Sequence, residues 1–383
     1  MLCKLPPQGT SIGLGDRIGL ATAGHIKAIK SFNVFPVLAQ QSTRELNFTG
    51  RSFKDVIDDV RKVIKKLHYE GDFGFDGDHL KTESEIEEAL EAGITMLTLD
   101  CSDEINKTSE LEEEIFKSFV GETFHINGII VRFTEEKTIS IAKTYGGAIE
   151  KTLKIWEKIS RFQDNLSLEL SIDETDFPTT PEAHFLIGKT LSSKGVKLDT
   201  LAPKFPGSFE KGIDFKGNIK EFKKALSAHH QIASFFGYRL SIHSGSDKFS
   251  IFPYIGKLTG GNFHIKTSGT SYLQAIKLIA LKDRKLFEEI WELILENLEE
   301  AKRFYKISAN LEKIPKYENP LNLIEDENAR QILHVSYMFV LKPETAIREK
   351  FLKFLKKHEE EYHDLVAEHI GKHLKALGLS ARR

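Results

Sequence analysis

The sequence predicts an α/β fold, a (β/α)8 TIM barrel followed by a helical C-terminal extension. Short apolar runs alternate with segments of helical periodicity, and the alternation occurs eight times within residues 1–283. Such alternation predicts a parallel sheet, and eight strands are the number that closes into a barrel. Residues 284–383 show helical patterns only, which predicts an extension packed on the barrel.

Eight segments have the length and the apolar content of buried strands. In chain order they begin at Ile18 (IGLAT), Val34 (VFPVLAQ), Phe73 (FGFDGDH), Met96 (MLTLD), Leu166 (LSLELSI), Val196 (VKLDTLA), Arg239 (RLSIHSG) and Phe263 (FHIKTSG). The segments between them predict helices; IKEFKKALSAHHQIASFFG, for example, repeats apolar residues at helical spacing and ends at Gly237. Residues 120–145 are predicted to be a β-rich excursion after the fourth strand. The Lys/Glu-rich tail from Pro343 predicts a packed or oligomerising helix, so a homo-oligomer is possible.

Composition excludes several classes of protein. The chain has 383 residues, 40% of them apolar, and a formal net charge of −2 at pH 7. This charge gives no electrostatic case for nucleic acid or for an anionic membrane surface. No apolar run approaches the roughly 20 residues that span a bilayer, and no secretory signal is expected from the N-terminal residues. Two cysteines without a CxxC motif fit a reducing cytoplasm, the expected location.

Polar side chains recur where the predicted strands end. Functional groups of a parallel barrel lie at the C-terminal ends of its strands, so these side chains predict one shared site. They are Asp78 and His79 at the end of the third strand, Asp100 at the end of the fourth, Asp173, Glu174 and Asp176 after the fifth, Glu210 and Lys211 after the sixth, His243, Ser244 and Ser246 at the end of the seventh with Asp247 and Lys248 following, and His264, Lys266, Thr267 and Thr270 on and after the eighth.

These residue types suit a metal ion and an anionic substrate. Histidines and carboxylates without cysteine favour a divalent cation with N and O ligands; zinc, nickel, cobalt and manganese all qualify. Lysines favour a negatively charged substrate. A keto-sugar acid would offer a carboxylate to lysine and a carbonyl to the ion, which would stabilise an enediolate as a Lewis acid. Asp78 and Glu174 could exchange protons with substrate hydroxyls.

The same residues also have purely structural interpretations. A histidine beside an apolar strand is often a packed, hydrogen-bonded residue, and acids in SIDETD can serve turns. Glu210 could be a solvated loop carboxylate or a helix cap, and His264 could be core, a fourth ligand or a substrate contact. Lys211, Lys248 and Lys266 could be surface charges.

Five long blocks between about residues 12 and 280 resemble the tagaturonate epimerase family. They are GLGDRIGLATAGHIKAI, FPVLAQQSTREL, DGDHLKTESEIEEALEAGITMLTLDCSDEI, SIDETDFPTTPEAHFLIGKTLSSKGVKLDTLAPKFPGSFEKGIDFKG and LSIHSGSDKFSIFPYIGKLTGGNFHIKTSGTSYLQAI. The Asp-His pair and IHSGS are also similar to class II, metal-dependent aldolases.

The resemblance implies an isomerase that interconverts D-tagaturonate and D-fructuronate with a divalent metal. It implies a proton acceptor at Asp78, a proton donor at Glu174, and metal ligands at His79 and His243. Glu210 is our expected third ligand. His264, Lys211, Lys248, Lys266 and Thr267 are expected, with weaker support, to bind substrate.

The two resemblances together suggest retro-aldol chemistry. The two sugars differ at a hydroxyl-bearing carbon β to the keto group, whose C–H is not acidic. Cleaving the adjacent C–C bond, rotating the aldehyde and re-forming the bond would invert that centre. The alternatives are a class II-type aldolase, another sugar-acid isomerase, or a catalytically silent sugar-acid-binding protein.

Overall fold

The computed structural model describes residues 1–314, 316 and 319–380. Within them the strands are β1 (Ser11–Leu14), β2 (Phe35–Ser42), β3 (Gly74–Leu80), β4 (Met96–Asp100), β5 (Thr123–Ile126), β6 (Ile129–Arg132), β7 (Ser167–Ile172), β8 (Thr200–Pro203), β9 (Arg239–Ile242) and β10 (Phe263–Thr267). All except β5 and β6 pair in parallel in the barrel order β1-β10-β9-β8-β7-β4-β3-β2. The barrel closes between β1 and β10, where Ser11 pairs with His264, and the predicted (β/α)8 fold is confirmed.

Helices cover the outside of the barrel and form the C-terminal region. The barrel region contains α1 (Thr22–Ile29), α2 (Thr43–Thr49), α3 (Phe53–Lys66), α4 (Glu83–Ala92), α5 (Glu112–Phe119), α6 (Glu135–Ile159), α7 (Pro181–Ser193), α8 (Ile219–Phe236), α9 (Phe252–Leu258) and α10 (Thr270–Lys282). After it come α11 (Arg284–Glu296), α12 (Leu298–Phe304), α13 (Leu321–Glu325), α14 (Glu327–Val335), α15 (Tyr337–Val340), α16 (Ala346–Lys357) and α17 (Glu359–Ala376). Short 3₁₀ turns occupy Ser102–Glu104, Ser160–Phe162 and Leu311–Lys313. None of the described helices is long and apolar enough to cross a membrane.

The first barrel strand precedes the segment that the sequence predicted. Asp16 accepts hydrogen bonds from the N–H groups of Ile18, Gly19 and Ala21 at 2.7–3.0 Å. These bonds fold residues 18–21 into a turn and use donors that a strand would need, so the short run Ser11–Leu14 forms β1 instead.

The excursion after β4 is only partly β. An antiparallel hairpin, β5–β6, covers Thr123–Arg132, but helix α6 begins at Glu135 after Thr134, whose hydroxyl caps the N–H of Lys137. Thr138, Ile141, Ala142 and Tyr145 are buried along α6. This spacing is helical, and the apparent alternation in KTISIAKTY misled the strand prediction.

The C-terminal region lies against the first barrel helix. Gly24 of α1 allows close approach, because an added Cβ would lie 2.8 Å from the carbonyl oxygen of His363 on α17. The His363 ring donates to the carbonyl of Leu20 at 3.0 Å. Residues 315, 317, 318 and 381–383 of the predicted extension lie outside the described residues.

A buried histidine pair joins α7 to α8. Tyr238 donates to His184 Nε2 (2.8 Å), His184 Nδ1 donates to His229 Nδ1 (2.9 Å), and His229 Nε2 donates to the carbonyl of Thr179 (3.1 Å). These hydrogen bonds require both imidazole rings, of His184 and His229, to be neutral. Burial lowers the pKa of His229 to about 4 and lowers that of His184 well below its usual value.

We expect this pair to make the fold acid-sensitive. The stabilisation from this pair is present in full above pH 6.5 and is lost as the pH falls from 6.5 towards 4. In this range the histidines of the unfolded chain bind protons, whereas the buried rings of the folded chain do not. The unfolding free energy should fall by up to about 1.4 kcal/mol per pH unit for each proton that the unfolded chain binds and the folded chain does not. Urea unfolding at pH 7.5 and 5.5 should show a smaller pH effect in His229→Gln than in the parent. The matched control, His125→Gln, changes an exposed residue; equal pH effects in all three proteins would contradict the assignment.

Candidate active site

A polar cavity of about 830 Å³ opens at the C-terminal ends of the barrel strands. Loops after most strands contribute to it, and segment 304–306 closes one side. Its charged lining comprises Arg17, Arg44, Glu45, Asp78, His79, Lys81, Glu85, Asp100, Asp173, Glu174, Asp176, Lys204, Glu210, Lys211, His243, Lys266 and Lys306. The predicted residues that share this site are Asp78, His79, Asp100, Asp173, Glu174, Asp176, Glu210, Lys211, His243, Ser244 and Lys266.

A bulge at the end of β3 turns two successive side chains into this cavity. The β3–β4 register shifts between Gly77 and Leu80, and His79 has a left-handed backbone with φ of 53°. In a regular strand Asp78 and His79 would point to opposite faces. Here both line the cavity, and the strained conformation that allows this is typical of functional sites.

His79, Asp173 and His243 converge in the cavity. One ligand atom of each lies within 4.8 Å of those of the other two. Asp173 Oδ1 is 3.0 Å from His243 Nδ1, yet this nitrogen has no aligned hydrogen-bond partner. Two imidazoles and a carboxylate are a suitable donor set for a divalent cation.

Two further carboxylates orient the histidine rings. Asp100 Oδ2 lies 3.2 Å from His79 Nδ1, and Glu169 Oε1 lies 2.7 Å from His243 Nε2. These contacts fix each ring and leave His79 Nε2 and His243 Nδ1 directed at the shared space. Metal-binding histidines characteristically use their second nitrogen in this way. The residues present therefore fit a metal ion.

The electrostatics of this group favour positive charge. Burial opposes protonation of His243, but Asp173 and Glu169 together raise its pKa to about 10. Burial also opposes ionisation of Asp100, whereas its hydrogen bonds to His79 and Ser102 lower its pKa to about 2. A site that stabilises an imidazolium so strongly also stabilises a cation bound in its place.

Lys266 neutralises a cluster of carboxylates beside the histidines. Its buried amine lies 2.7 Å from Asp76 and from Asp78 and 2.9 Å from Glu169, and it also contacts Thr98. Burial disfavours the charge, but the three carboxylates raise the pKa of Lys266 well above its usual value. The sequence predicted a substrate-binding role for Lys266, whereas the structure engages its amine with these carboxylates.

Asp78 is held as an anion at the edge of the cavity. Burial opposes its ionisation, yet Lys266 and the neighbouring histidines lower the pKa of Asp78 well below its ordinary range. Gln40 donates to Asp78 Oδ2 at 3.1 Å, and Asp78 Oδ1 lies 3.9 Å from His79 Nε2. A fixed carboxylate is thus available as a proton acceptor next to the three convergent groups.

The remaining predicted residues divide between the rim and the interior. Glu174 is exposed at the rim, and Lys211 lines the cavity with no hydrogen bond from its amine to any described residue. Lys248 turns away and donates to the carbonyls of Glu210, Ile213 and Ser246.

His264 and Thr267 serve the barrel itself. His264 is buried, with Nδ1 2.8 Å from the hydroxyl of Ser11, and Thr267 donates to the carbonyl of Gly13 at 2.7 Å. Neither lines the cavity.

Glu210, the expected third ligand, does not lie with His79 and His243 in the structure. One carboxylate oxygen accepts from the N–H and hydroxyl of Ser308 (2.8 and 2.7 Å) and from Gln331 (2.6 Å). Glu210 lies well beyond the end of β8, and its loop runs towards the C-terminal region. Asp173 follows β7 directly and takes the place next to His243.

We expect Glu210→Gln to weaken the fold and to leave metal binding unchanged. Gln keeps the size of the side chain but cannot accept three hydrogen bonds on one charged oxygen. Hydrogen bonds to charged groups contribute about 1.5–3 kcal/mol, so the unfolding free energy should fall by about that amount. Metal content per chain should equal that of the parent; loss of an ion from the folded variant would restore Glu210 as a ligand.

Sequence reasoning missed the groups inside the barrel. Glu169 and Asp76 are charged residues in the middle of buried strands, and this was the signal that could have identified them. Arg17 and Glu45 form a buried ion pair of 2.6 Å in the cavity wall, with the Arg17 guanidinium 3.7 Å above the ring of Tyr337. These two residues stand in the family-like blocks, but their positions alone did not mark them as partners.

Comparison with known proteins gives a consistent result. The family profile for tagaturonate epimerase matches residues 4–377. The tagaturonate/fructuronate epimerase of Thermotoga maritima is 38% identical over 387 residues, which cover 96% of this chain and 80% of that protein. A native crystal structure of the fructuronate-tagaturonate epimerase of Cohnella laeviribosi, at 36% identity, superposes with a TM-score of 0.95 and covers 99% of this chain and 83% of that chain.

A glycerol complex of the Cohnella laeviribosi enzyme gives the same coverage, with 37% identity and a TM-score of 0.94. The sequence match and the structural match both extend over nearly all of this chain, so the resemblance is not confined to the barrel. The chain therefore belongs to the tagaturonate epimerase family and is an epimerase, an enzyme of the isomerase class.

Proposed function

We propose that this protein interconverts D-tagaturonate and D-fructuronate by retro-aldol cleavage and re-addition, with a divalent cation held by His79, Asp173 and His243. The names of its relatives support the substrates. The observation that carries the mechanism is the convergence of two oriented imidazoles and a carboxylate, with His79 Nε2 3.9 Å from Oδ1 of the anionic Asp78.

The ion is proposed to bind at His79 Nε2, His243 Nδ1 and Asp173. Once bound, it would supply Lewis-acid stabilisation of negative charge on substrate oxygens. Asp100 and Glu169 keep the two rings in position, so that the ligands need little rearrangement. Zinc, nickel, cobalt and manganese all suit these donors.

Asp78 acts as the base in this proposal. It accepts the proton from the hydroxyl on the carbon β to the keto group. The C–O electron pair then forms an aldehyde, the bond between the α and β carbons breaks, and its electrons pass to the keto group as an enediolate. Lys266 keeps Asp78 ionised before the step and lies beside it as an ammonium throughout.

Re-addition to the other face of the aldehyde completes the inversion. Glu174, exposed at the rim, is proposed to return the proton on that face. Lys211 and Arg44 are proposed to bind the substrate carboxylate, since both line the cavity and their charged groups form no hydrogen bond with the described residues. Holding both fragments in one cavity favours recombination over release.

The test is turnover by the metal-loaded protein, followed by NMR. We expect D-tagaturonate to give D-fructuronate, and the reverse, with no net three-carbon product. Net release of a three-carbon fragment would identify an aldolase. No turnover of either sugar at full metal occupancy would favour the silent binding protein.

A further inference from the structure

A second group of two histidines and a carboxylate lies outside the cavity. Asp247 is on the loop after β9, and His369 and His373 are one turn apart on α17. One ligand atom from each lies within 4.8 Å of the other two. Asp247 Oδ1 is 2.7 Å from His369 Nε2 and 3.6 Å from His373 Nε2. None of the three lines the cavity.

The hydrogen bonds of this group resemble those at the barrel mouth. His373 Nδ1 donates to the carbonyl of His369 at 2.9 Å, so its Nε2 carries the lone pair. Asp247 Oδ1 and His369 Nε2 are close, but each lacks an aligned hydrogen-bond partner. His243 Nδ1 lies 3.0 Å from Asp173 Oδ1 in the same unaligned way. Ligand atoms facing a shared ion would have this arrangement.

We propose that Asp247, His369 and His373 form a second divalent-cation site, which fastens the C-terminal helix to the loop after β9. Two histidines four residues apart on a helix present their rings on one face, and the carboxylate arrives from a different element. The rings of Phe249 and Phe252 pack within 4.9 and 5.3 Å of the His373 ring and shield the site.

Two neighbouring cations set the strength of this site. Arg330 lies 2.9 Å from the other oxygen of Asp247, which orients the carboxylate and leaves Oδ1 for the ion. Lys248 directs its amine at backbone carbonyls. The ion must also displace the N–H of Asp247 from His373 Nε2, now 2.9 Å away. The positive charges of Arg330 and Lys248 repel a cation, and displacing the N–H of Asp247 costs a hydrogen bond. We therefore expect the second site to bind its ion more weakly than the site at the barrel mouth.

The second site would support the first through a short loop. Asp247 follows His243 by four residues, and Ser244 and Asp247 both have a left-handed backbone, with φ of 49° and 60°. Such conformations persist only where surrounding contacts enforce them. An ion on Asp247 would therefore hold the segment that carries His243, although it would touch no substrate.

Cobalt(II) binding to the full-length protein tests the proposal. We expect two ions per wild-type chain at saturation, with the weaker ion removed first by a chelator. The folded double variant His79→Ala/His243→Ala should keep one ion with visible d–d absorption. His369→Ala, at a partly exposed position, should also bind one ion and keep the mouth site.

Two outcomes would overturn the second site. One is wild-type protein that saturates with a single cobalt ion, a result that depends on no variant. The other is a His369→Ala protein that still binds two. Failure of the proposed mouth site would look different, because the ion would then remain in His79→Ala/His243→Ala and be lost from His369→Ala.

Discussion

His243→Ala should abolish metal binding at the barrel mouth and lower turnover of D-tagaturonate by at least about 10³-fold. The substitution removes one of three ligands and leaves Glu169 and Asp173 without the ring that separates them. Lewis-acid stabilisation contributes several kcal/mol to such reactions, and each 1.36 kcal/mol is tenfold in rate. Metal analysis and steady-state kinetics on the same sample measure both effects.

The control for His243→Ala is His125→Ala, which changes an exposed histidine on β5 and should match the wild type in both measurements. If His243→Ala is folded, retains the full metal content and turns over normally, His243 is not a ligand. If it retains the metal and loses activity, His243 acts on the substrate directly.

Asp78→Asn should lower kcat by about 10²–10⁴-fold and leave the metal content unchanged, because it removes the base and no ligand. Asn keeps the shape of the side chain and can still accept from Lys266. Asp76→Asn is the matched control: Asp76 also contacts Lys266 but does not line the cavity. Asn at position 76 likewise keeps the shape of the side chain and removes one carboxylate from Lys266.

Comparing the two variants separates chemistry from packing. If removing a carboxylate from Lys266 were the only cause of lost activity, Asp76→Asn and Asp78→Asn would be equally impaired. We expect a much smaller loss in Asp76→Asn. Equal losses would make Asp78 a structural partner of Lys266, and another group would have to accept the proton.

The sequence predicted a place in the shared cavity most directly for residues at strand ends. Asp78, His79 and His243 lie at the ends of β3 and β9, where the barrel geometry brings side chains together whatever the loops do. Glu210 shows the limit of this reasoning. Its loop is long enough to fold towards Ser308, nearly a hundred residues later in the sequence, and only the packed C-terminal region reveals that contact.

Other features depend on contacts that local patterns do not encode. The turn at residues 18–21 is set by a single side chain, Asp16, which outweighs the strand-like run that begins at Ile18. The bulge at His79 requires the β3–β4 register, and the three-carboxylate environment of Lys266 combines β3, β7 and β10. Strand alternation predicted the barrel, but it could not indicate which interior positions carry charge.

The central claim is that a carbon–carbon bond opens and closes while the C–H bonds of the sugar stay intact. Conversion of D-tagaturonate to D-fructuronate in D₂O, followed by NMR of the product, tests it most directly. The account predicts a product with no deuterium at the inverted carbon or at the carbons next to the keto group. Stoichiometric deuterium at any of these carbons would show inversion through proton abstraction from carbon and would contradict the account.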